Sequence, residues 1–137
     1  MARRSDQRRD AVFALYQAEV TDRELDDVLG RNASLFTRAL AHAAQDRAEE
    51  LDAYISGHAH GWALDRIAPL ERAIMRVALL EMLHPDAAPS DMPIPPEGAI
   101  DEAVELAKRY SGASAPGFVN GILAAVHREI GHNPATP

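Results

Sequence analysis

The stretch Pro69-Leu-Glu-Arg-Ala-Ile-Met-Arg-Val-Ala-Leu-Leu-Glu-Met-Leu83 decides how the rest of this 137-residue chain is read. Pro69 suits the first turn of a helix, where a missing N–H does no harm. Behind it, Leu70, Ala73, Ile74, Met75, Val77, Ala78, Leu79, Leu80 and Met82 leave almost no polar face. A helix that is apolar nearly all round has to be surrounded by others, so it is expected to run through the middle of a helical domain. Its charges are Glu71, Arg72, Arg76 and Glu81. They read either as the rim of a partner surface or as capping and ion-pair residues.

Upstream, apolar residues recur at helical spacing. Ala11, Leu15 and Ala18, with Val12 and Tyr16 beside them, predict a first helix from Ser5 or Asp6 to about Glu19. A short helix is expected near Asp22–Leu29, with Gly30 at its end. Ser34 reads as the cap of one long helix reaching about Ser56, where Gly57 stops it. Trp62–Ile67 predicts a helical turn that lodges the tryptophan. Downstream, five prolines between His84 and Pro96 predict a stiff, extended connection. Two further helices follow, about Glu97–Tyr110 and about Pro116–Ile130. The expectation is an all-α domain of about seven helices over 1–131. Its hinge at Gly57–Trp62 separates sub-bundles of about 1–57 and 62–131, and 132–137 form a frayed tail.

Composition agrees with one such domain: 47% hydrophobic, 26% charged and 5% aromatic residues, with no cysteine. Disulfides, thiolate metal sites and cysteine nucleophiles are excluded together. No stretch approaches the length of a membrane span, and no apolar segment follows the charged start. A cytoplasmic protein without a membrane role is expected. The net charge of −7 argues against a surface coated in nucleic acid, but it is unevenly spread. Arg3, Arg4, Arg8 and Arg9 against Asp6 and Asp10 give the first ten residues +2, which leaves −9 to the rest.

Nothing in the chain assembles into catalytic machinery. His58 and His60 stand two apart, whereas helical metal ligands stand three or four apart, and no third ligand is near. Asp101, Glu102 and Glu105 read as a solvated face. No phosphate-cradling glycine motif or nucleophile elbow occurs. No enzyme, cofactor or metal site is expected.

Two features point instead to binding. Cations at a helix start oppose the helix dipole, so the leading arginines call for another explanation: phosphate ligands for RNA, or a solubilising leader. Lys108 and Arg109 end one helix and Phe118 opens the next, which reads as a base-stacking platform with a phosphate grip, or as core plus helix-end neutralisation. Asn120-Gly121 in mid-helix reads as a close helix approach with a side-chain bond to a loop.

Taken in order, five segments resemble the NusB family of transcription antitermination factors over about residues 3–130. They are Arg3–Gln17, Trp62–Ile67, Leu70–Arg76, Ala99–Tyr110 and Phe118–Leu123. The resemblance implies two small helical sub-bundles packed across each other. It also implies joint binding of boxA RNA with ribosomal protein NusE, inside an RNA polymerase antitermination complex acting on ribosomal RNA operons. Carried over, the RNA-facing residues are Arg3, Arg4, Arg8, Arg9, Arg72, Arg76, Lys108 and Phe118. The NusE-facing residues are Tyr16, Glu19, Asp65 and Glu71. Some members form homodimers that hide the RNA surface, so a homodimer stands among the partner states. Ser5-Asp6 and Asp10 interrupt the arginine run, and position 117 is Gly rather than a cation. Both departures predict weaker RNA affinity alone and more dependence on the partner. The rival reading is a protein-interaction module with no RNA role.

Overall fold

The computed structural model describes residues 3–90 and 92–132, the last by its backbone alone. Among them are seven α-helices, one 3-10 turn and no strand. The helices are α1 (Arg4–Thr21), α2 (Leu25–Leu29), α3 (Leu35–Asp46), α4 (Ala48–His58), α5 (Pro69–Leu83), α6 (Pro96–Tyr110) and α7 (Ala115–His132). The tail expected from His132 lies outside the described residues beyond the end of α7.

As its sequence requires, α5 buries Ala73, Ile74, Met75, Val77, Ala78, Leu79, Leu80 and Met82. It packs against α1, α3, α4, α6 and α7, so the two groups of helices share one core. Pro69 stands at its first turn. The Ser34 side chain accepts from the Thr37 backbone N–H at 3.0 Å, capping α3. The Thr37 hydroxyl in turn donates to the Gln7 carbonyl at 2.9 Å, tying α3 to the first turns of α1.

Two expectations need correction. The long helix over Ser34–Ser56 is interrupted at Arg47 (φ −105°, ψ 18°). The bonds Arg47 N–H to Ala43 O and Leu51 N–H to Arg47 O still span the break, so it is a kink that keeps the buried residues on one side. The second half runs past Gly57 to His58. Trp62 is not lodged in the core. The chain turns at Gly61, whose φ of +80° a side chain would strain, and leaves Trp62 55% exposed. The core residue of this segment is Ile67, just after the 3-10 turn Leu64–Arg66.

Among its described residues the proline-rich connection holds no helix before Pro96. Its end packs closely, because a Cβ on Gly98 would stand 2.8 Å from Ile94 Cγ1. Side-chain pairs set the helix directions. Arg8 meets Glu81 and Glu19 meets Arg72, so α1 and α5 are antiparallel. Ser5 meets Glu102 and Phe13 meets Tyr110, so α1 and α6 run the same way.

Candidate nucleic-acid interface

The four leading arginines fall into two kinds. Arg3 and Arg4 are exposed, and the Arg4 guanidinium lies 4.2 Å from the centre of the Phe36 ring while donating to the Gln7 side chain. Arg9 is one-third exposed and shared between Asp10 at 3.2 Å and Asp6 at 3.4 Å. The Asp10 hydrogen bond raises its pKa above the ordinary value, against partial burial and with help from the charges of Asp10 and Asp6.

Arg8 is different: it is only 8% exposed, and its Nε donates to Glu81 Oε1 at 2.8 Å. Burial pushes the Glu81 carboxyl up, the hydrogen bond and charge of Arg8 pull it down, and Glu102 adds a further upward push; the net shift is upward. Arg8 therefore offers little free surface to a ligand. It continues the buried stripe of Ala11, Val12 and Leu15 one turn toward the N-terminus. Read as a stripe position rather than as a charge, it belongs inside, and Glu81 is the only acid on the same level of α5.

Arg72 and Arg76 are likewise held in ion pairs. Arg72 pairs with Glu19, while Arg76 donates to Asp52 at 2.7 and 2.8 Å and to Glu19 at 3.2 Å. Burial works against the Arg76 charge, but the Asp52 and Glu19 contacts outweigh it and raise its pKa. These two arginines brace α1, α4 and α5 together. The brace sits eleven residues along α1 from Arg8, about 16 Å at 1.5 Å per residue.

Of the residues expected on the partner side, Tyr16 is half-buried, packed against the core, and Asp65 is exposed on the 3-10 turn. Both oxygens of Glu19 are taken by Arg72 and Arg76. Glu71 accepts from the Ser111 hydroxyl at 2.8 Å, which fastens the end of α6 to the start of α5.

Lys108 is exposed and holds no ion pair among the described residues, whereas Arg109 reaches Glu105 at 3.5 Å. Tyr110 is 43% exposed and stands edge-on to Phe13, 4.9 Å between ring centres, with Arg9 near its phenol. Phe118 is half-buried, and its ring lies 6.1 Å from that of Trp62 at 64°. Asn120 and Gly121 are exposed, and a Cβ on Gly121 would meet nothing within 4 Å, so close helix approach is not the reason for that glycine. The outward arginines and Phe118 do not touch. Arg4 lies about 14 Å along α1 from Phe13, the residue whose ring meets Tyr110.

Comparison with known proteins adds what geometry alone does not. The model of the NusB family matches residues 5–128. The chain belongs to the NusB family. The transcription antitermination protein NusB of Rubrobacter xylanophilus is 37% identical, over 95% of this chain and 93% of its own length. That of Bacillus velezensis is 35% identical, over 93% of this chain and 98% of its own length. The structure of T. maritima NusB superposes with a TM-score of 0.79 at 31% identity, covering 93% of this chain and 92% of that one. A crystal structure of antitermination factors NusB and NusE in complex with dsRNA shares the fold at a TM-score of 0.75 and 24% identity, over 92% and 96% of the two chains.

In this NusB-family chain His58 is drawn into a structural contact. Its Nε2 lies 2.6 Å from Glu129, and its Nδ1 lies 3.0 Å from the Tyr54 carbonyl, which joins α4 to α7. Among the described residues no group of three or more His, Asp or Glu is placed to hold a metal, and no helix is long and apolar enough to cross a membrane.

Proposed function

We propose that this chain is a transcription antitermination factor that binds boxA-type RNA jointly with ribosomal protein NusE, within an RNA polymerase antitermination complex in the cytoplasm, and has no catalytic chemistry of its own. Support comes from family membership over nearly the whole chain and from relatives named as antitermination proteins. The observation that carries the RNA role is the division of the arginines. Arg8 is held inside by Glu81, and its neighbours Arg3, Arg4 and Arg9 are left facing outward on the same turns.

In this reading Arg3, Arg4, Arg9 and Lys108 bind phosphates, and Phe118 lies against a base. Arg8, Arg72 and Arg76 hold the helices that present them. Tyr16, Glu19, Asp65 and Glu71 belong to the NusE side, with Glu19 and Glu71 acting through the bonds they already make to Arg72, Arg76 and Ser111. The two sub-bundles of about 1–57 and 62–131 carry the arginine end and the Phe118 end respectively. Asp6 and Asp10 compete with phosphate for Arg9, which makes RNA binding by this protein alone weak.

A gel shift with boxA RNA, with and without NusE, at two salt concentrations tests this. Binding is expected to tighten with NusE and weaken with salt. No shift under any of these conditions contradicts the proposal.

A further inference from the structure

Trp62 is the one tryptophan of the chain, and neither the core nor the arginine track uses it. Burying an indole is among the larger gains a side chain offers, so an indole left more than half in water asks for a partner. Beside it lies an open cavity of about 370 Å³, within the size range of small-ligand sites. Trp62, Ile67 and Phe118 supply its apolar walls, and Arg66, Glu71 and Ser114 its polar ones. The two rings meet at 64°, so a flat group lying on the indole face presents its edge to Phe118.

The polar groups narrow the occupant. Arg66 is exposed and holds no ion pair among the described residues, so it is available to a phosphate. Glu71, which serves the NusE side only through its bond to Ser111, accepts that hydroxyl on Oε2, and its carboxylate stands at the cavity wall as an acceptor. A flat, π-faced group carrying hydrogen-bond donors on its edge and a phosphate nearby is a nucleotide. A half-buried carboxylate favours bases with an exocyclic amino group, such as cytosine and adenine, over uracil, whose single N3–H donor is flanked by two carbonyls that repel it.

We propose that the corner formed by Trp62 and Phe118 is a nucleobase pocket, in which an unstacked base of single-stranded RNA lies on the Trp62 ring with an amino edge toward Glu71 and a flanking phosphate at Arg66. This rests on the RNA-binding reading above and deepens it: the outward arginines grip the backbone, and the pocket selects the base. Gly61 and the 3-10 turn Leu64–Arg66 set the indole and the guanidinium on the same short segment.

A lone tryptophan makes the pocket its own reporter. Oligo(rC) or oligo(rA), and more strongly boxA RNA, should quench the Trp62 emission, while oligo(rU) quenches it less at equal concentration. Trp62→Ala should weaken boxA RNA binding roughly tenfold, leave the slope of log affinity against log salt unchanged, and be partly rescued by Trp62→Phe. Helix content by circular dichroism should stay the same, since the side chain is largely exposed. If RNA binds and yet Trp62 emission is unmoved and Trp62→Ala binds as tightly as the parent, the pocket is overturned and the RNA reading stands. If Trp62→Ala loses NusE instead of RNA, the corner is a protein contact and the proposal fails. If the parent protein binds no RNA, both readings fail.

Discussion

Both ends of α1 are joined to α5 by arginine–carboxylate pairs, with different outcomes. At the first, one inward guanidinium meets one carboxylate, Arg8 with Glu81, while Arg3 and Arg4 are exposed and Arg9 is shared between Asp6 and Asp10. At the other, Arg72 and Arg76 converge on Glu19 and Asp52, and no cation on that network is left over. One end therefore keeps a surplus of positive charge and the other cancels it. On an acidic protein this difference, more than the number of arginines, decides where an anionic strand can settle.

The comparison is broken most severely by removing the inward member of the first end. Arg8→Ala strands the Glu81 carboxylate where both side chains are about one-tenth exposed, a loss expected to cost about 3 kcal/mol or more. Urea denaturation measures it, and Arg3→Ala in the same assay should stay within about 0.5 kcal/mol. An Arg8→Ala protein as stable as its parent would mean that the pair is not a structural brace.

A smaller effect sharpens the same contrast through pH. The Glu81 carboxyl is raised in the folded protein, so the folded state holds its proton more tightly than the unfolded chain does. Stability from this group is complete below the ordinary glutamate range and declines as pH rises through the raised value. Melting temperatures followed upward from that range should show the decline, and Glu81→Gln should flatten it.

Much of this architecture was legible in the residues. The all-round apolar face of α5 announced a central helix, Ser34 announced a cap, and Pro69 a helix start. The kink at Arg47 was not legible, because the apolar positions on either side remain in step and periodicity records only step. The exposure of Trp62 is illegible for a related reason: a single aromatic just after a glycine has no periodic neighbours to say which way it faces. For the arginines, charge at the chain start drew attention to solvent, whereas the stripe through Ala11, Val12 and Leu15 placed Arg8 inside. Its partner stands on α5, far along the chain, and only the fold brings them together. For Arg72 and Arg76 an ion-pair role is open in the sequence beside the surface one, but Glu19 and Asp52 as the partners emerge only in the fold.

Salt dependence of RNA affinity reaches the central claim most directly. With NusE present, log affinity for boxA RNA should fall against log salt with a slope of about −3 if Arg3, Arg4, Arg9 and Lys108 each release one counterion. In the double variant Arg3→Ala/Arg4→Ala the slope should shrink to about −1.5, with the folded protein as stable as before. An unchanged slope in that variant would contradict the account, because it would place the phosphate grip away from the exposed start of α1.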